Sequence, residues 1–100
     1  LNLPNPPEAV FCYNDYVAYD AATFLQQKGL KVGKDVLIGG FANEPVSGYM
    51  SPSLTTVEQN ALVIGEKAVG LLLKMINGET VSGEIVDTQM IIRESSRRLT

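Results

Sequence analysis

A chain of 100 residues with 45% hydrophobic composition has room for one small core and not for two. Its net charge of −3 argues against a phosphate-gripping surface, because non-specific nucleic-acid affinity comes from clustered Lys and Arg. With no histidine and one cysteine, it lacks Ser-His-Asp and Cys-His nucleophilic pairs, histidine-based metal sites and any internal disulfide.

No apolar run is long enough to span a bilayer. The first residue is Leu1 rather than a methionine, which predicts a piece of a longer protein, so the lack of a leader says nothing about that protein. Residues 1–8 contain Pro4, Pro6 and Pro7 and read as an extended lead-in. Residues 9–13 are short, aromatic and wholly apolar, as in a strand buried on both faces, with Cys12 buried and inert inside it. Asn14 and Asp15 break the run, and the Asp15 carboxylate suits a helix N-cap. Residues 16–28 then place Val17, Ala21, Phe24 and Leu25 on one helical face. Gly29 predicts a left-handed stop, with Leu30 supplying the hydrophobic contact that accompanies it.

After a polar turn around Gly33, residues 36–40 form a second buried strand. Strand, helix, strand requires a crossover and hence a parallel pair. Residues 41–52 read as a loop with Pro45, Gly48 and Pro52; its Tyr49 and Met50 either cover the core or face a partner. The joint at residues 51–59 either holds side chains against a ligand or merely connects, and residues 55–58 supply a third strand. Residues 60–77 form the longest helix, with one stripe of Ala61, Ile64, Ala68, Leu72 and Met75 and a second of Leu62, Val69, Leu73 and Ile76. So wide an apolar arc means burial on two sides, or contact with chain outside these residues. Asn77 and Gly78 stop it. Residues 85–88 and 90–93 finish as two short strands or one bent one, and Arg93, Arg97 and Arg98 read as a solvated tail.

The fold class is α/β, a parallel-sheet, three-layer (Rossmann-like) fragment, because so few parallel strands want helices on both faces and neighbours on both edges. Gly39 and Gly40 follow a strand but do not continue as a dinucleotide fingerprint, and no P-loop exists. Asp15, Asp20 and Glu44 are weak acid/base candidates, so no catalytic residue, metal site or cofactor is assigned and the chain reads as a binding protein rather than an enzyme. In open parallel sheets, ligands sit beyond the carboxyl ends of the strands. Asn14 follows the first strand, Ala42 and Asn43 the second, and Gln59 the third, so all four reach one edge and suit a hydroxyl-rich neutral ligand. The alternative is that Asn14 only turns the chain and Gln59 only caps the long helix.

Four blocks in order, AVFCYND at 9–15, GLKVGKDVLIGGF at 29–41, PSLTTVEQ at 52–59 and IIRESS at 91–96, resemble the C-terminal end of LacI/GalR-family transcriptional regulators. The resemblance covers essentially the whole chain. It implies a periplasmic-binding-protein-like type I fold with an effector cleft between two subdomains. Residues 1–100 would be a single fragment of the C-terminal subdomain, with the N-terminal subdomain and the helix-turn-helix domain absent. It further implies a cytoplasmic homodimer that binds a small-molecule effector, a sugar in the first instance, and a DNA operator through that missing domain, with no membrane partner. The alternative is a periplasmic sugar-binding protein of the same fold. By position, Asn14 and Gln59 resemble effector contacts. Ala42 departs from the family's usual aspartate, leaving Asn43 to compensate or the ligand to differ. The dimer interface of the family maps to Ala18, Tyr19 and Ala22 and to Val46, Tyr49 and Met50.

Overall fold

A computed structural model describes residues 2–97; of the expected basic tail, Arg98 lies outside the described residues. Strand β1 (Ala9–Phe11) leads into helix α1 (Asp15–Gln27), which returns the chain to strand β2 (Leu37–Gly39). β1 and β2 pair in parallel with Ala9 opposite Leu37, as the crossover requires. A short helix α2 (Val46–Tyr49) interrupts the segment expected to be loop. Strand β3 (Thr56–Glu58) then joins the parallel array: Gly39 bridges Thr55, and the Gly40 and Ala42 amides donate to Thr55 O and Val57 O at 2.8 and 3.0 Å. The long helix α3 (Ala61–Ile76) follows, and strand β4 (Gln89–Ile91) closes the array antiparallel to β3. Residues 85–88 are not a strand. A 3-10 turn (Glu94–Ser96) ends the described chain.

α1 stops where Gly29 predicts. Gly29 has φ +83, its amide donates to Gln26 O at 3.0 Å and the Leu30 amide to Leu25 O at 3.0 Å, a Schellman pair that satisfies the last carbonyls. The core lies between α1 and one sheet face: Ala18, Ala22 and Leu25 from the helix meet Cys12, Val36, Ile38 and Leu54. Ile38 and Leu54, at 1% and 0% exposure, each contribute about 1.5–3 kcal/mol by leaving water. The buried face of α1 is rotated from the expected one. Phe24 is 51% exposed, whereas Ala18 and Ala22 are buried because only small residues let the helix approach the sheet this closely.

The opposite sheet face is open. Ala9, Phe11, Gly39, Val57 and Met90 line an apolar hollow of about 340 Å³ there. No described element covers this face, so Phe11 is 66% exposed rather than β1 being buried on both faces as expected. α3 does not cover this hollow, and none of its residues is buried. Its two stripes lie uncovered by the described residues, apart from a shallow contact with the segment that carries Glu84 and Val86. Lys67 and Glu84 pair across that contact at 3.7 Å. The chain is therefore elongated, 59 × 28 × 22 Å with a radius of gyration of 18.1 Å, against about 13 Å for a compact domain of this length. The expected second helical layer is not closed within this chain.

Candidate binding edge

Because β1, β2 and β3 run parallel, their carboxyl ends put Asn14, Ala42, Asn43 and Gln59 on one edge. The N-cap of α1 is Asn14, not Asp15: the Asn14 backbone is extended and its Oδ1 accepts from the Val17 amide at 2.8 Å. Asp15 instead turns inward and is wholly buried. Its carboxylate accepts from Thr56 Oγ1 and from the Glu44 amide, both at 2.6 Å, tying the start of α1 to β3 and to the turn after β2. Gly40 makes this possible, since a Cβ there would collide with Asp15 Oδ1 and stand 2.9 Å from Leu54 Cδ2.

The turn after β2 is sharp. Ala42 has φ +105 and Asn43 φ +52, both in the region that L side chains rarely adopt. The Asn43 amide donates to Thr56 Oγ1 at 3.1 Å, and its Oδ1 accepts from Arg93 Nη2 at 3.1 Å, with Ser47 Oγ at 3.2 Å. Arg93 also donates through Nη1 to Ser47 Oγ at 2.8 Å and to Leu54 O at 3.0 Å. One guanidinium thus fastens the β2 turn, α2 and the approach to β3. Arg93 is half-buried and is not part of a solvated tail. Its neighbour Ser95, 1% exposed, accepts from the Thr55 amide at 2.8 Å and donates to Ile38 O at 2.6 Å, stitching the end of the chain across β2 and β3.

Gln59 is half-buried at the end of β3, and the N-cap of α3 is Asn60, in the left-handed region with its Nδ2 donating to Asp87 O at 2.9 Å. Gln59 is thus not the cap residue. Of the residues mapped to a dimer interface, Ala18 and Ala22 are 0% and 4% exposed and pack into the core. Tyr19 and Tyr49 are 46% and 88% exposed, Val46 is half-buried, and Met50 packs partly against the core. Burial also pushes the Cys12 thiol above its usual range. No group of three His, Cys, Asp or Glu side chains poised for a metal occurs among the described residues.

Sequence reading missed Arg93, Ser95, Ser47 and Thr56. The available signal was Arg93 directly after Ile91 and Ile92 at a strand end, a position that points a charge inward as readily as outward.

An α/β fragment with polar residues at the carboxyl ends of its parallel strands has the layout of open α/β sheets, which take ligands outside those ends. The profile of the periplasmic binding protein-like domain family matches residues 1–96. The chain is similar to the HTH-type transcriptional repressor CytR of Escherichia coli K12, 41% identical over 99% of this chain and 30% of the repressor. Among solved structures it superimposes on the lac repressor dimer bound to operator and the anti-inducer ONPF, with TM-score 0.86 and 28% identity over 91% of this chain and 28% of that one. It also matches a periplasmic binding protein/LacI transcriptional regulator from Alkaliphilus metalliredigens complexed with D-xylulofuranose, with TM-score 0.81 and 32% identity over 88% and 34% of the two chains. The chain belongs to the periplasmic binding protein-like domain family, in its LacI/GalR branch. It spans about three-tenths of the length of the curated relatives it matches.

Proposed function

We propose that this chain is part of the effector-binding and dimerisation region of a LacI-like, DNA-binding transcriptional regulator. It corresponds to a piece of the C-terminal subdomain, and a helix-turn-helix domain and a partner subdomain complete the protein. The observation that carries this reading is the single edge on which the three parallel strands present Asn14, Ala42, Asn43 and Gln59. A small molecule, a sugar in the first instance, binds between this edge and the partner subdomain and favours one relative orientation of the two. In a homodimer that orientation sets how paired DNA-binding modules meet two half-sites, so the effector acts as a coupling free energy between sites. The protein works by binding rather than by catalysis, in the cytoplasm where its operator lies.

Repressor relatives support the regulator over a secreted binding protein of the same fold. Asn43 enters this reading as a support for the edge, since its oxygen is held by Arg93. Tyr19, Val46 and Tyr49 are the residues proposed to meet the second subunit, whereas Ala18 and Ala22 carry the helix behind them. Operator affinity of the full-length protein, measured across a panel of sugars and sugar derivatives, tests the function. A shift of at least fivefold with one compound supports it, and no operator binding together with no response to any compound refutes it.

A further inference from the structure

Helix α2 is too short to hold itself. Its four residues, Gly48 among them, make a single turn, and a first helical turn fixes more backbone than its hydrogen bonds repay. Pro45 stands at its N-cap, and no side chain caps it. What anchors α2 is Ser47, its one buried residue at 1% exposure. Ser47 Oγ donates to Glu44 O at 2.7 Å and accepts from Arg93 Nη1 at 2.8 Å.

The other arm of that guanidinium, Nη2, donates to Asn43 Oδ1 at 3.1 Å, and this oxygen lies 3.2 Å from Ser47 Oγ. Asn43, Arg93 and Ser47 thus form a closed triangle. Arg93 has no ion-pair partner among the described residues, so neutral oxygens alone hold it in place. Asn43 belongs to two structures at once. It stands on the carboxyl edge after β2, where φ +52 and the bond from its amide to Thr56 Oγ1 at 3.1 Å fix its backbone. Through its side chain it also reaches α2, which carries half-buried Val46 and 88% exposed Tyr49. The triangle and Tyr49 line one crevice of about 380 Å³.

We propose that Asn43 is a positioning residue that couples the effector edge to the dimer surface. Its side-chain oxygen sets, through Arg93 and Ser47, how α2 presents Val46 and Tyr49 to a second subunit. This rests on the effector-binding and dimerisation reading above. A ligand that draws Asn43 away from Arg93 changes the affinity between subunits, and dimerisation changes the affinity for that ligand by the same factor.

Dimer dissociation of the full-length protein, measured by sedimentation with no ligand added, tests the inference. Wild type is compared with Asn43→Gly, Asn43→Asp, Ser47→Ala and the Asn43→Gly, Ser47→Ala double variant. Glycine keeps the positive φ and removes the oxygen. Aspartate tolerates that backbone and returns the acceptor, now with a charge that strengthens its bond to the guanidinium. Gln59→Ala is the control on the same edge, since the Gln59 side chain makes no hydrogen bond to α2 among the described residues. Asn43→Gly and Ser47→Ala are each expected to weaken the dimer about fivefold or more. The double variant is expected to be little weaker than the worse single one, because both break one unit. Asn43→Asp and Gln59→Ala keep wild-type dimer affinity. Rescue by aspartate separates positioning from a general loss of fold. An unaltered dimer in Asn43→Gly overturns the inference, as do additive effects in the double variant or an Asn43→Asp dimer as weak as that of Asn43→Gly. If Asn43→Gly does not fold, wild-type affinity in Ser47→Ala overturns it instead. A monomeric wild type also overturns it, while operator response to a small molecule decides the effector reading separately.

Discussion

Replacing Arg93 with methionine removes three hydrogen bonds at once while keeping a side chain of comparable length. The acceptors left behind are Ser47 Oγ, Leu54 O and Asn43 Oδ1, at 2.8, 3.0 and 3.1 Å from the guanidinium. Leu54 and Ser47 are 0% and 1% exposed, so water does not replace the lost donor at either without local opening. Bonds to a charged group are worth about 1.5–3 kcal/mol each, and bonds in one network do not add, so the loss is about 3–5 kcal/mol rather than the full sum. Urea unfolding of the full-length protein, followed by circular dichroism, reads this as a lowered midpoint at an unchanged slope. Arg93→Lys keeps the charge but cannot fork to three acceptors, and it falls between wild type and methionine. A change below about 0.5 kcal/mol for Arg93→Met, the size of an ordinary surface substitution, would return Arg93 to the solvated tail.

Gly40→Ala drives a methyl group against the Asp15 carboxylate and Leu54, costing about 1–3 kcal/mol in overpacking and weakening the Thr56 and Glu44 bonds as well; wild-type thermal stability would contradict the buried position of Asp15. Cys12 is 6% exposed and its thiol is pushed up by burial, so less thiolate is present near pH 8 than for a free cysteine. Iodoacetamide should therefore label it at least tenfold more slowly in native protein than in urea, and equal rates would place it at the surface. Tyr49→Asp puts a charge on a residue that is 88% exposed and makes little contribution to the core. Weakened dimerisation in sedimentation runs at low concentration, with unchanged thermal stability, is expected; an unaltered dimer moves the interface elsewhere.

The local signals that were legible are those with a short-range physical cause. Gly29 and Leu30 announce a left-handed stop because few other residues accept that backbone, and the Schellman bonds form where they predict. Short uninterrupted apolar runs separated by a helix predict the parallel β1–β2 pair and hence the edge that gathers Asn14, Ala42, Asn43 and Gln59. What was not legible depends on partners distant in sequence. Asn14 and Asp15 are both good caps, and only the buried hydroxyl of Thr56, 41 residues away, decides that Asp15 turns inward and leaves the cap to Asn14. Arg93 looks like a tail residue until α2 and the β2 turn surround it with oxygens. Ala18 and Ala22 look like interface residues by position, yet small side chains there are what let α1 lie close to the sheet. The exposed stripes of α3 were legible as an excess of apolar surface, and the structure leaves them uncovered.

If the carboxyl edge of β1–β3 contacts the proposed effector, its binding is felt at DNA. Operator binding by the full-length protein is titrated with the effector found in the panel, for wild type, Asn14→Ala and Gln59→Ala. Each substitution is expected to leave operator affinity without effector unchanged and to raise the effector concentration at the midpoint by tenfold or more. Midpoints identical to wild type in both variants would contradict it and reduce Asn14 to the cap of α1.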